Sequence, residues 1–351
     1  MGLREYIIRR LLLVIPVALG AVLLVFATTQ LLTPQAKAML YVKSQKQLLG
    51  NGIQTIIAAH HLNGSVWLQF TDWFGQLIHG NLGWSQVGMG PVLTVMLKAW
   101  PNTIQIVLFS APFIILFGIL LGVVSATHKD GPIDHFTRLL SISGYSLPLF
   151  WLALILIALA YSAFGFYSQG QLSSTLQNQV WAGINWHSYT GMYVIDGIIN
   201  RRWDIALNCL QHLVLPVIVL VVVNVAALIR ITRSSMLEAL NKSYVTTARA
   251  KGVKERDVIN RHARRNALIP VVTISGLIVA GMMGGLVITE TVFNIPGVGE
   301  LVARAAGASG SSAPDVPLIV GFTLFTAFIY IISNLLVDIL YAYLDPRIRL
   351  G

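Results

Sequence analysis

The residues of this chain with most capacity for chemistry are cationic, and they gather in one segment. Between Arg230 and Arg265 lie ten of its 24 lysines and arginines. The segment RITRSSMLEALNKSYVTTARAKGVKERDVINRHARRNALIP, Arg230 to Pro270, is too polar for lipid and too long for a simple turn. It divides at Gly252. Before the glycine, SYVTTARAK predicts a short helix with the small residues Thr247, Ala248 and Ala250. After it, VKERDVINRHARRNAL predicts an amphipathic helix with Glu255, Arg256, Arg261, Arg264 and Arg265 largely on polar faces. Gly252 can supply a tight, left-handed bend between the two. Such an elbow suits electrostatic attachment to anionic headgroups, at about 1 kcal/mol per basic residue near the surface. It equally suits insertion of a small-residue face into the groove of a partner. Charge alone favours the first use; the glycine and the small residues favour the second.

Catalytic chemistry is poorly supplied. Spacing gives no nucleophile–base triad, no paired carboxylates and no metal cluster. No G-x-x-x-x-G-K-[ST] phosphate loop occurs, so any nucleotide must be bound elsewhere. Cys209 is the single cysteine and forms no internal disulfide. Polar residues inside apolar runs are pathway candidates by default: Asn224 in VLVVVNVAALI, Asn334, and Ser143, Tyr145 and Ser146. Interhelical hydrogen bonding, worth ~0.6 kcal/mol, explains each of them without a substrate. Asp338 is expected to be neutralised by Arg230 or Arg233. The small residues Gly276, Ala280, Gly281, Gly284 and Gly285 permit close helix approach. Gln211 and His212 read as interfacial.

The elements that must position these residues are apolar. The chain has 351 residues, 55% hydrophobic and 11% charged, with mean hydropathy +0.72. Soluble domains carry about 25% charge, which argues against a cytosolic enzyme. About 20 apolar residues cross a bilayer, and six runs are long enough: within 11–36, within 99–127, LLSISGYSLPLFWLALILIALAYSAFGF, Ile205–Ile229, Asn266–Thr289 and Val316–Val337. The first is longer than the roughly 7–15 residues of a signal-peptide core and lacks a small-x-small cleavage site, so it reads as a retained span. The net charge of +10 would suggest nucleic acid in a soluble protein; here it sets sidedness. With the N-terminus inside, seventeen lysines and arginines fall inside and seven outside, which predicts both termini in the cytoplasm. Seven of the eight tryptophans then lie in two outer segments, 33–100 and 167–204, suited to the headgroup boundary or to docking.

Several blocks are family-specific: HGNLGWS at 79–85, GPIDHFTRLLSISGYSLPLFW at 131–151, YVTTARAKGVKERDVINRHARRNALIPVVT at 244–273, GGLVITETVFNIPGVGELV at 284–302 and VDILYAYLDPRIRL at 337–350. With these the sequence resembles, along nearly its whole length, the permease subunits of ABC importers of the dipeptide/oligopeptide type. The resemblance implies an all-α, multi-pass plasma-membrane protein of the type I importer class with six transmembrane helices. It is divided as helix 1–32, extracytoplasmic region 33–100, core 101–345 with coupling loop 231–266, and cytoplasmic tail 346–351. It also implies a second homologous permease (a heterodimer), for which the small-residue face from Gly276 to Gly285 is the candidate contact, two ATPase subunits that hold ATP and magnesium, and an extracytoplasmic binding protein. The chain itself would carry no cofactor, no metal and no catalytic residue.

In that family the segment around Gly252 is the loop that docks on the ATPase. Carried over, its contacts are Tyr244, Val245, Thr247, Ala248, Arg249, Ala250, Lys251 and Gly252. Thr246 stands where the family's wider motif has glutamate, RHARRN replaces the usual apolar end, and LLTPQAKAML replaces a PGDP-like stretch. GASGSSAP at 307–314 is less charged than its counterpart. Glu290, Phe293, Pro296 and Gly297 resemble a motif with the role of gate or loop anchor. The implied cargo is short peptides, although relatives carry oligosaccharides, nickel or glutathione. An ion-coupled secondary transporter fits less well, because the span centres hold no ionisable residue.

Overall fold

The computed structural model describes residues 3–48, 50–308 and 313–344. Most of the LDPR block, the tail 346–351 and the middle of GASGSSAP lie outside the described residues. The chain opens with α1 (Leu3–Thr29), whose last turn returns the Thr28 and Thr29 hydroxyls to the carbonyls of Val25 and Phe26. Short helices follow, α2 (Pro34–Met39), α3 (Gly52–Ala59) and α4 (Val66–Ile78), then a two-residue ladder, β1 (Trp84–Ser85) with β2 (Gly90–Pro91). Phe26, Tyr41, Trp73 and Leu324 share one buried cluster, so this region caps the ends of α1 and the last helix.

The body consists of α5 (Val92–Thr127), α6 (Pro132–Ser146), α7 (Leu149–Phe164), α8 (Ser174–Trp181), α9 (Tyr193–Ile199) and α10 (Trp203–Leu240). After it come α11 (Ser243–Ala250), α12 (Glu255–Asp257), a π-turn at Val258–Ala263, α13 (Arg264–Met283), α14 (Val287–Val292), α15 (Val298–Ala305) and α16 (Val316–Leu344). Five helices are long and apolar enough to cross a membrane, and α6 with α7 makes a sixth crossing if the bent pair counts as one. At 38 residues, α10 outruns the expected Ile205–Ile229 span and carries its C-terminal third into the basic segment. It is the central post, packed by α5, α6, α7, α9 and α13. Gly118 and Gly122 of α5 face Leu228 and Thr232 of α10 so closely that a methyl group on either would collide.

Several sequence expectations are corrected. The third run is not one straight helix: it turns by 102° between α6 and α7. Pro148 forces Leu147 into extended backbone, φ −75°, ψ 125°, and ends α6 there. The fifth crossing ends at Met283 rather than Thr289. α5 begins at Val92, ahead of the expected 99–127 run, so the second crossing helix reaches into the outer region. Asp338 pairs with Arg10 of α1 at 3.1 Å, while Arg233 is taken by Asp134. The small-residue face of α13 is filled from within the chain: Gly276 meets Val337, Gly281 the Tyr330 hydroxyl and Gly284 Thr326. That face therefore holds α16 and is not free for a second subunit. His212 is buried, its Nδ1 at 2.9 Å from the Asn208 carbonyl, and not interfacial.

Candidate functional site

The basic segment folds as an elbow. α10 ends at Leu240, α11 runs back across the end of the bundle, and Gly252 reverses the chain with φ +74°. The Gly252 amide donates to the Arg249 carbonyl at 2.9 Å and the Val253 amide to the Ala248 carbonyl at 3.2 Å. This paired pattern closes a helix through a left-handed residue, which a glycine adopts without steric penalty. Across the bend, Arg249 donates Nε to Glu255 Oε2 at 3.1 Å and Nη2 to Oε1 at 2.6 Å. The second arm runs from Glu255 through the π-turn at Val258–Ala263 straight into α13, so it is continuous with a crossing.

The resemblance implied eight contacts to an ATPase here, and the structure divides them. Val245 and Ala248 are 0% and 7% exposed, packed with Met236 and Ala239 of α10, Ala126 of α5, Val258 and Ala263 of the π-turn and Ala267 of α13. They fix the elbow to three long helices and face the interior of this chain, unlike the other six. Thr247, Arg249, Ala250, Lys251 and Gly252 are exposed, and Tyr244 is half-buried.

Beside the elbow lies a charged clamp that sequence reasoning did not single out. Asp134 of α6 is fully buried; Arg233 of α10 donates Nε to its Oδ1 and Nη2 to its Oδ2, both at 2.7 Å. Ser125 of α5 donates to Oδ1 at 2.5 Å and the Asp130 amide to Oδ2 at 3.0 Å. One carboxylate thus ties three helices. The signal was present: an acidic residue in the first turn after Gly131-Pro132 starts a helix favourably.

The five tentative pathway residues do not converge. Tyr145 and Ser146 line a cavity of about 470 Å³ between α6 and α10, with Arg138, Arg230 and Arg233. Ser143 is exposed on α6 but does not line it. Asn224 donates Nδ2 to the Leu220 carbonyl of its own helix at 2.8 Å. Asn334 lines a separate cavity of about 210 Å³ between α1 and α16, beside Arg10 and Asp338.

At the opposite end of α13, Glu290 of α14 is fully buried. Its Oε1 accepts from the Thr103 hydroxyl of α5 at 2.6 Å, and its Oε2 accepts from the Glu300 amide at 3.0 Å. The Thr103 hydroxyl in turn accepts from the Val298 amide at 3.0 Å. The carboxylate and threonine together satisfy the first amides of α15, as a cap does. Burial pushes the pKa of Glu290 up, against the hydroxyl and amide donors that pull it down. A methyl group at Gly297 would strike this carboxylate. Phe293 is buried, its carbonyl accepting from the Gly170 amide at 2.8 Å, and the Pro296 carbonyl accepts from Asn102 Nδ2 at 2.7 Å. Through these contacts Glu290 and the Pro296 carbonyl join the α14–α15 loop to α5, and the Phe293 carbonyl joins it to Gly170 in the segment between α7 and α8.

Among the described residues, no group of three or more His, Cys, Asp or Glu side chains could hold a metal ion. Residues 118–350 match the family described as "Binding-protein-dependent transport system inner membrane component". The chain is 35% identical to a dipeptide transport system permease protein of Haemophilus influenzae, over 98% of this chain and 99% of that protein. It is 36% identical to a di/tripeptide transport system permease protein of Pseudomonas aeruginosa, over 98% of each chain. An oligopeptide transport system permease protein of Bacillus subtilis is 33% identical, over 98% of this chain and 99% of that one. A bundle of apolar crossings with a glycine-bent elbow on one end, matched over its core and nearly end to end, is a multi-pass membrane permease, and the chain belongs to the inner-membrane components of binding-protein-dependent transport systems.

Proposed function

We propose that this permease forms half of the pathway of an ATP-driven importer, with both termini in the cytoplasm. Its cargo is short peptides handed over by an extracytoplasmic binding protein. A second, homologous permease completes the pathway, and two cytoplasmic ATPases bind ATP and magnesium. The observation that carries this reading is the elbow. Thr247, Ala250, Lys251 and Gly252 lie on its open side while Val245 and Ala248 lock its other side to α5, α10 and α13. A push on α11 is therefore transmitted as a rigid displacement of three crossings, which is what alternating access needs. Tyr244 and Arg249 flank the contact face. The named peptide permeases, similar over nearly the full chain, support the cargo class.

The test is uptake in proteoliposomes holding the complete complex and its binding protein. Peptide accumulation that needs both internal ATP and the ATPase subunits is the expected result. Accumulation driven by an ion gradient without any ATPase would overturn the reading. Uptake of an oligosaccharide, nickel or glutathione in place of peptides would overturn the cargo.

A further inference from the structure

The cavity between α6 and α10 carries charge that the permease reading does not use. Of its three arginines, Arg233 is neutralised, because both oxygens of Asp134 are already engaged. Among the described residues, Arg138 and Arg230 have no ion pair, and nothing acidic lines the cavity. The Arg230 guanidinium is held over the Tyr145 ring, 5.2 Å from its centroid. Cations in a crossing segment persist where an anion or water compensates them.

Level and shape narrow the anion. α6 runs antiparallel to α10, with Asp134 opposite Arg233 and Gly144 against the Val222 carbonyl. Arg138, one turn beyond Asp134, therefore stands at the height of Arg230. That height is where the apolar stretch of α10 ends, at Ile229, so it is the headgroup boundary. From there the cavity deepens along Ile142, Ala226 and Ile229, an apolar wall. On the same helix Phe136, Leu139 and Ile142 are 64%, 63% and 63% exposed. A peptide cargo is a zwitterion, and its ammonium group finds no free carboxylate here. A singly anionic group attached to an apolar tail matches both parts.

We propose that this cavity holds the phosphate of an anionic phospholipid from the elbow-side leaflet, gripped by Arg138 and Arg230, with one acyl chain along Ile142 and Ala226. The lipid would wedge α6 against α10 beside the Asp134–Arg233 clamp. The site needs the chain to be embedded in a membrane but does not depend on its cargo or its motor.

The test is native mass spectrometry of the purified full chain in detergent with added phosphatidylglycerol or phosphatidylcholine. Wild type is expected to retain phosphatidylglycerol selectively. At about a factor of five per basic residue near the surface, Arg138→Gln with Arg230→Gln should retain about thirtyfold less. Replacing both by lysine should keep most of the binding, and Lys129→Gln, an exposed cation outside the cavity, should change nothing. No preference for phosphatidylglycerol in wild type, or equal retention by the glutamine double variant, overturns the proposal. So does a result in which that variant keeps its lipid but the assembled importer loses preference for free-acid over C-amidated peptides, since the cavity would then be a cargo subsite. Failure of peptide uptake by the wild-type complex would count against the proposed function alone, because lipid retention requires no transport.

Discussion

Substitution at Gly252 separates the shape of the elbow from its surface. The residue sits at φ +74°, and a Cβ added there meets no atom within 4 Å. Steric collision is thus excluded, and the penalty of a side chain is conformational alone, about 1–2 kcal/mol for an ordinary L-residue in the left-handed region. A β-branched residue lies at the upper end of that range, and asparagine, which tolerates this region, well below it. One to two kcal/mol lowers the bent population relative to an opened one by a factor of about 5–30. Opening would also release the two closing hydrogen bonds at 2.9 and 3.2 Å. Gly252→Val in the assembled complex should therefore lower peptide uptake per ATP hydrolysed several-fold and weaken retention of the ATPase on purification. Gly252→Asn should stay close to wild type, with Gly252→Ala between them. Two results refute the reasoning: full coupling in the valine variant, or an asparagine variant as impaired as valine, which would mean that bulk at the surface rather than backbone conformation matters.

Asp134→Asn leaves Arg233 without its charge partner and replaces one of the two accepting oxygens by an NH2 donor that faces other donors; a loss of about 3–5 kcal/mol is expected, read as a lower unfolding midpoint of the detergent-solubilised chain. Gly297→Ala should destabilise the α14–α15 loop, because the new methyl group strikes the Glu290 carboxylate, and limited proteolysis should cut first within that loop. Ala248→Arg should unfold the elbow locally by forcing a charge into the cluster of Met236, Val245 and Ala267. Ala250→Arg, on the exposed side, should leave thermal stability unchanged yet abolish ATPase association; equal thermal stability of the two variants would contradict the assigned faces.

The crossings, the short helix before Gly252 and the left-handed bend were legible because each follows from local rules: length of apolar run, spacing of small residues, and a glycine at a reversal. What was not legible depended on contacts distant in sequence. Asp338 had cations available on two helices, and only the packing of α1 on α16 selects Arg10. Val245 and Ala248 looked like neighbours of Thr247 and Ala250, yet which face of an eight-residue helix is buried is decided by α5, α10 and α13. Gly276 and Gly284 advertised a close helix contact correctly but could not name the partner, which is α16 of the same chain. Hydropathy bridged Pro148, whereas the missing amide and the extended Leu147 break the run. The partners of Glu290, the Thr103 hydroxyl of α5 and the amide of Glu300, were not legible, because only the fold brings α5 and the start of α15 to it.

The central claim, that the open side of α11 is where a motor takes hold, is tested most directly by a single introduced thiol. Cys209 is the chain's one cysteine and is buried, so Ala250→Cys provides a unique reactive position. In the isolated chain it should react readily with a water-soluble maleimide. In the complex it should be protected and should cross-link to the ATPase subunit. Equal labelling in the isolated chain and the complex, with no cross-link to the ATPase, would contradict the account.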